Sequence, residues 1–353
     1  MTISVQPRNA AGSAPIRQFE SLPGQLNFFN DEPEVATVLE NGAGRDATLK
    51  MPQRADLQDF DQTVKRARIA KATSRPIKRH GGKSYLADWI IPLMPPRVRN
   101  PNKPASNDSG WLHYVEPYFG SGAVLFSLDP EGISEVVNDL DLELTNFWHV
   151  LQSPELFLAL DQRLRNTPCS QIEFERACNE YGQGDPVERA AKFFVRNRQS
   201  RQALGSCFAT TTRSRTRRGM NDLPSAWQSA IDGLAEFHER LQRVVILREE
   251  ACEVIHKQDG IRTLSFLDPP YLHETRSTNS EYGQYEMAEP DHRRLLETLA
   301  GIKGRFLLSG YHSRLYDEFA AELGWACHER EVDLKSSSKK KKERRTECVW
   351  TNY

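Results

Sequence analysis

The 353-residue chain carries 47 Lys and Arg against 48 Asp and Glu, a formal charge of −1, so it is no general polyanion binder and any nucleic-acid affinity must come from local clustering. Hydrophobic residues make up 38%, and no apolar run approaches the roughly 18 residues that cross a bilayer, so no membrane span is expected. Met1 to Ala14 lack the basic start and apolar core of a signal peptide, which leaves the cytoplasm as the default, and Cys169, Cys178, Cys207, Cys252, Cys327 and Cys348 include no CxxC pair, which argues against both a disulfide framework and a metal site.

Residues 1–74 mix polar, charged and small residues without sustained periodicity and are expected to form a disordered leader. Its one apolar spot is Gln25-Leu26-Asn27-Phe28-Phe29. That stretch resembles the glutamine-leucine-x-aromatic peptides that dock on bacterial sliding clamps, and the competing expectation is that it folds back onto the core.

The folded part is expected from residue 75. Gly81-Gly82-Lys83 precede a short helix over Tyr85–Pro92, and glycines before a lysine at a helix start let N–H groups and an ammonium meet an anion. A P-loop is excluded because it needs glycine six residues before the lysine, where Ile77 stands. Leu112–Val115 reads as a strand running into Glu116-Pro117-Tyr118-Phe119-Gly120-Ser121-Gly122, with a helix expected from Ala123 to Leu128. Strand, glycine turn and helix make the cofactor half of a doubly wound fold. A second strand, Ile133–Val137, ends in Asn138-Asp139 and is followed by a helix to Gln152. An acidic residue about 20 positions after the glycine turn suits ribose hydroxyls, so the ligand expected is a nucleoside.

From residue 153 to 243 the pattern turns helical and irregular, which predicts a domain inserted between the catalytic parts, 75–152 and 244–353. Between Arg189 and Asn221 no acidic residue occurs, whereas Lys192, Arg196, Arg198, Arg201, Arg213, Arg215, Arg217 and Arg218 do. Solvated helix faces mix charge signs, so this run points to a polyphosphate partner. Asn197, Gln199 and Thr210 to Thr212 are interleaved and are types that also read base edges.

The sheet pattern returns with Val244–Leu247, a short helix through Val254 and Ile255, and the apolar strand Thr263–Leu267, which stops at Asp268-Pro269-Pro270-Tyr271. Neither proline can donate a ladder hydrogen bond, so a carboxylate and a phenol are left at a strand's carboxyl end, where open α/β sheets bind ligands. Residues 272–289 form a polar loop long enough to act as a lid. Helix (291–299), strand (306–309), helix (313–320) and strands over 325–332 and 346–352 complete the alternation, with a basic hairpin loop at 336–345.

Gly81-Gly82-Lys83, Glu116-Pro117-Tyr118-Phe119-Gly120-Ser121-Gly122-Ala123, Asn138-Asp139, Asp268-Pro269-Pro270-Tyr271 and Leu308-Ser309-Gly310-Tyr311 together resemble the ordered motifs of Dam-type DNA N6-adenine methyltransferases, particularly phage-borne ones. The resemblance implies an α/β fold: an S-adenosylmethionine-binding, Rossmann-like mixed sheet of seven strands with an inserted helical target-recognition domain. It implies site-specific methyl transfer to adenine N6 in double-stranded DNA. It places the cofactor on Lys83, Glu116, Phe119, Gly120, Ser121, Gly122, Asp139, Glu250 and Asp268, catalysis on Asp268, Pro269, Pro270 and Tyr271, and DNA on Arg196, Arg198, Arg201, Arg213, Arg215, Arg217 and Arg218. Glu250 stands where the family commonly has aspartate, and Arg79 where it has an aromatic residue.

Chemistry accounts for the Asp-Pro-Pro-Tyr requirement. Adenine's exocyclic nitrogen is a poor nucleophile, and acceptors fixed on its N–H bonds, the Asp268 carboxylate and the Pro269 carbonyl, would aim its lone pair at a methyl group. Tyr271 would stack on a base flipped out of the duplex. Rival readings differ in their residues. A cytosine-C5 enzyme needs a nucleophile such as Cys169 after a sheet strand, N4-cytosine enzymes more often have serine at position 268, and guanine-N2 or glutamine methylation more often has asparagine. A catalytically silent DNA-binding protein would have lost Lys83, Asp139 or Asp268.

Overall fold

The computed structural model describes residues 75–78, 83–98, 110–209, 215–275, 283–333 and 344–353, all within a unit spanning 49–353. The expected leader with its clamp-docking segment, Arg79, Gly81-Gly82, Arg213, the centre of the 272–289 loop and the lysine run lie outside the described residues. The strands are β1 (His113–Glu116), β2 (Ser134–Asn138), β3 (Thr216–Arg217), β4 (Met220–Asn221), β5 (Val244–Leu247), β6 (Thr263–Leu267), β7 (Arg305–Gly310), β8 (Ala326–Asp333) and β9 (Arg344–Thr351). Seven of them form one sheet in the order β5-β2-β1-β6-β7-β9-β8. The first five are parallel, and β9 runs antiparallel to both its neighbours.

β6 is buried along its whole length, as a near-continuous apolar strand in a parallel sheet must be. Side chains alternate between two apolar layers: Phe266 and Leu307 face one, Leu267, Phe306 and Leu308 the other. The chain leaves β1 toward β2 on one side and reaches β6 on the other, so the sheet order reverses between β1 and β6. Ligands bind beyond the carboxyl ends of strands at such a point.

The helices are α1 (Ala87–Ile90), α2 (Leu142–Gln152), α3 (Pro154–Arg165), α4 (Gln171–Asn179), α5 (Pro186–Gln199), α6 (Asp222–Asp232), α7 (Leu234–Leu241), α8 (Ala251–Gln258), α9 (Glu289–Ala300) and α10 (Arg314–Leu323). Side-chain caps start many of them: Asp141, Ser170, Asp185, Asn221, Glu250 and Ser313 each accept a backbone N–H of the first turn. No helix among the described residues is long and apolar enough to cross a membrane.

Three local expectations are corrected. The helix expected over 123–128 is only a 3₁₀ turn, Leu125–Ser127, entered through Gly120 and Gly122 at positive φ (52° and 65°), with the Leu125 N–H donating to the Glu116 carboxylate. The helix expected over 85–92 is broken into 3₁₀ turns flanking α1, since Pro92 has no N–H to continue it. The inserted segment is not wholly helical: β3 and β4 form a hairpin whose tip, Arg218-Gly219, has positive φ at both residues (55° and 72°), the signature of a type I′ turn.

The segment 153–243 also lacks a core of its own. Phe157, Phe194, Trp227 and Leu241 share one apolar cluster with Tyr114, Val137 and Phe266 of the sheet. A buried ion pair reinforces the join, with Arg240 of α7 donating to both carboxylate oxygens of Glu135 on β2, one at 2.6 Å, while the Glu135 side chain is fully buried. Arg240→Ala strands that carboxylate without a partner and is expected to lower unfolding free energy by about 3–5 kcal/mol, whereas replacing both residues by apolar ones recovers most of the loss. Urea titration of the single and double variants checks this; equal midpoints for wild type and Arg240→Ala refute it.

Candidate active site

β1 and β6 pair in register, Val115 opposite Ser265, so the glycine turn after β1 and the Asp-Pro-Pro-Tyr stretch after β6 emerge side by side. β2 adds Asn138-Asp139 from the other side of β1. Asn138, 1% exposed, ties three loops together: its amide donates to the carbonyls of Pro117 and Glu249, both at 3.0 Å, and its Oδ1 accepts from Glu249 N at 2.8 Å. Asp139 Oδ2 accepts from Gly120 N at 2.9 Å and Oδ1 from Asp141 N at 3.0 Å. Its carboxylate is thus oriented by backbone, and a carboxylate's two oxygens offer about four lone-pair sites, enough to take hydroxyl donors as well.

A cleft of about 260 Å³ lies over these turns, with Glu116, Phe119, Gly120, Ser121, Asp139 and Glu250 in its wall. Lys83, Asp268 and Pro270 close one end, and Tyr285 and Met287 reach it from the segment before α9. Gly122, expected under a cofactor, is not part of the wall; a Cβ there would stand 2.5 Å from Phe126 and 2.7 Å from Phe119, so its role is packing. Pro269 is buried outside the wall. Glu250 is engaged twice, as the cap of α8 and in an ion pair with Arg294 at 3.0 Å. Apolar walls with an oriented carboxylate fit a hydroxylated nucleoside, and the acidic rim fits one that carries positive charge.

The electrostatic centre is Lys83, 3% exposed. Its ammonium sits 3.1 Å from Asp268 Oδ1, 3.9 Å from Glu347 Oε2 and 4.5 Å from the centre of the Tyr271 ring. Burial works against this cation, but Asp268 and then Glu347 outweigh it and hold its pKa above the ordinary lysine value. Burial likewise pushes the Asp268 carboxyl up, opposed by Lys83. Tyr271 bonds to Glu347 Oε2 and Ser309 Oγ, both at 2.9 Å, with Tyr311 edge-on at 4.7 Å. Two of these groups, Glu347 and Ser309, are not among the site residues expected from the sequence. Their signal is the polar residue inside an apolar strand run, Glu347 before Cys348-Val349-Trp350 and Ser309 after Phe306-Leu307-Leu308.

The basic run of the insert divides into two sets. Arg201, Arg215, Arg217 and Arg218 are exposed. Arg198 departs from the expected DNA role: it donates to the carbonyls of Pro76, at 2.8 Å, and Arg75, and burial lowers its pKa to about 10. Arg196 stacks 3.8 Å from the Tyr181 ring centre, and Lys192 pairs with Glu180 at 2.9 Å. Asn197 exchanges hydrogen bonds with the backbone of Lys78, and buried Gln199 donates to Pro168 O, so neither is free to read a base edge.

Glu116, expected at the cofactor, is a buried strut of the turn: its Oε1 accepts from Tyr114 OH at 2.6 Å and Leu125 N at 2.8 Å. Burial pushes its carboxyl from the ordinary 4.5 up to about 8. The stability of the neutral form is therefore present below about pH 4.5 and is lost as pH rises through about 8. Glu116→Gln retains the accepting oxygen without the charge and is expected to melt above wild type at about pH 9, the gap narrowing toward about pH 5. Differential scanning calorimetry across that range checks this; a gap independent of pH refutes it.

Residues 80–332 match the family model of D12 class N6 adenine-specific DNA methyltransferases. The chain is also similar to the Type II methyltransferase M1.LlaDCHI of Lactococcus lactis subsp. cremoris, 26% identical over 299 residues that cover 80% of this chain and 97% of the relative. The match takes in the lysine, the glycine turn, Asp139 and the Asp-Pro-Pro-Tyr stretch, and the chain accordingly belongs to the D12 class N6 adenine-specific DNA methyltransferases, enzymes that methylate adenine in DNA.

Proposed function

We propose that the methyl donor is S-adenosylmethionine held in the cleft over β1, β2 and β6, and that Asp268 is the acceptor that prepares adenine N6 for transfer. The observation that carries this reading is the half-buried Asp268 carboxylate at the end of β6, in the wall of the same cleft as the Asp139 carboxylate and 3.1 Å from Lys83. Asp139 would take the ribose hydroxyls, Phe119 with the Gly120-Ser121 backbone would form the floor, Glu250 would lie beside the base and Lys83 beside the methionine portion. The cofactor supplies a methyl group made electrophilic by a sulfonium.

The protein's part is positional. Asp268 and the Pro269 carbonyl accept the two N–H bonds of an adenine turned out of the duplex, which draws the nitrogen's lone pair out of conjugation with the ring. Lys83 favours the ionised form of Asp268 and opposes the burial that pushes its carboxyl up. Tyr271 offers an aromatic edge and one ring face to the base, the ammonium of Lys83 lying over the ring. Fixed charges of this kind act most strongly where water is excluded. The silent-binder reading is disfavoured because Lys83, Asp139 and Asp268 are all present and converge on one cleft.

Double-stranded DNA is proposed to approach the exposed arginines of the insert, with the β3–β4 hairpin carrying Arg217 and Arg218 at its tip. Phosphate contacts from such residues orient the protein on the duplex and carry no sequence information themselves.

Asp268→Ala is expected to reduce methyl transfer about 10²-fold or more with folding intact. The measurement is transfer of labelled methyl to unmethylated DNA followed by nucleoside digestion; near-normal turnover, or label on a nucleoside other than N6-methyl-2′-deoxyadenosine, would sink the reading. Arg215, Arg217 and Arg218 changed together to Ala should flatten the salt dependence of DNA binding by about 0.9 in log–log slope for each phosphate no longer neutralised. Arg198→Ala should instead leave the slope unchanged and lower the melting temperature. An unchanged slope in the triple variant would move the DNA path elsewhere.

A further inference from the structure

We infer that Glu347, on the last strand, is a positioning residue of the methyl-transfer site, which acts on Asp268 through Lys83 and the Tyr271–Tyr311 pair. It rests on the proposed reading of Asp268 as the acceptor. Glu347 lies beyond residue 332, where the family match ends, and no role for it follows from the motifs.

The register places Cys348 opposite Gly310, so Glu347 stands beside Tyr311, just past the end of β7. Its carboxylate is 2% exposed, and burying a charge is unfavourable unless donors surround it. They do, and they come from separate parts of the chain. Oε1 accepts from Tyr85 OH at 3.1 Å and Tyr311 OH at 3.2 Å, Oε2 accepts from Tyr271 OH at 2.9 Å, and Lys83 Nζ is 3.9 Å from Oε2. One carboxylate thus fastens the turn that carries Lys83, the residue that follows the two prolines, and the loop after β7.

Two of those partners border Asp268 directly. Lys83 is its ion-pair partner, and the Tyr271 ring lies 4.5 Å from the same ammonium. A purely structural residue at this place could be neutral, since the tyrosines need only an acceptor. A charged one does more: it draws on Lys83 in competition with Asp268. The ammonium is then shared between two carboxylates, and Asp268 remains a better acceptor than a fully neutralised partner would be. The charged or titratable groups around Glu347 include Lys83 and Tyr85 from the first turn, Asp268 and Tyr271 after β6, Tyr311 after β7, Arg345 two residues before it and over the Tyr311 ring, and Arg330, its cross-strand neighbour on β8. Burial and the nearby carboxylates push the phenols of Tyr85 and Tyr271 up, and that of Tyr311 to about 12, so they remain neutral donors across the working range.

The sign of the pH effect follows. Burial raises the Asp268 carboxyl, Lys83 lowers it and Glu347 raises it. Removing the Glu347 charge therefore lowers the pKa of Asp268 and moves the acid limb of the rate profile to lower pH. Glu347→Gln retains an oxygen for Tyr85 and Tyr311, and its amide can face Tyr271.

The test is the pH profile of kcat with duplex DNA for wild type, Glu347→Gln, Glu347→Asp and Asp268→Asn. Glu347→Gln is expected to lose about tenfold in kcat, with the acid limb displaced to lower pH and KM for DNA unchanged. Glu347→Asp, which restores the charge, should return the limb to its wild-type position. A Glu347→Gln enzyme with wild-type kcat and an unmoved limb overturns the inference, as does a loss confined to melting temperature. If Glu347→Gln does not fold, Glu347→Asp decides: an acid limb at the wild-type position supports the role, and a limb displaced although the charge is retained overturns it. Asp268→Asn separates the two readings, because normal turnover there overturns the acceptor assignment itself, whereas loss there with an unaffected Glu347→Gln overturns the role of Glu347 alone.

Discussion

The structure turns on one buried ammonium shared by two carboxylates, Glu347 buried and Asp268 half-buried. Lys83 is nearer Asp268 than Glu347, at 3.1 Å against 3.9 Å, and it and Glu347 are almost wholly withdrawn from solvent. Ions removed from water are tolerated only when partners and hydrogen bonds replace hydration. The tyrosine hydroxyls supply them, which explains why Tyr85, Tyr271 and Tyr311 converge here.

What can be read from the chain alone is whatever is local. The strand ending in two prolines, the glycine turn and the acidic residue after β2 are each set by neighbours in sequence, and all three meet at the cleft. The mixed sheet follows from the alternation of short apolar runs with helical stretches. Glu347 is invisible at that level because its partners are remote, Tyr85 lying 262 residues away. Arg198 misleads for the same reason: a cation in a run without anions looks like a DNA contact until the carbonyls of residues 75 and 76 fold back onto it, 122 and more residues apart. The bond from Leu125 N to the Glu116 carboxylate is just as hard to read, since it joins a strand end to the turn nine residues on.

The apolar interior shared by the sheet and the 153–243 segment bears on how such an enzyme can change its target. A domain with a core of its own can be exchanged between relatives like a cartridge. Here exchange would expose Tyr114 and Val137 on one side and Phe157 and Trp227 on the other, and it would leave Glu135 without Arg240. Recombination across that boundary is therefore penalised, whereas substitutions on the solvent-facing hairpin leave the interior untouched. Sequence change is thus cheap at the exposed hairpin of residues 215–221 and costly at the boundary from which it projects.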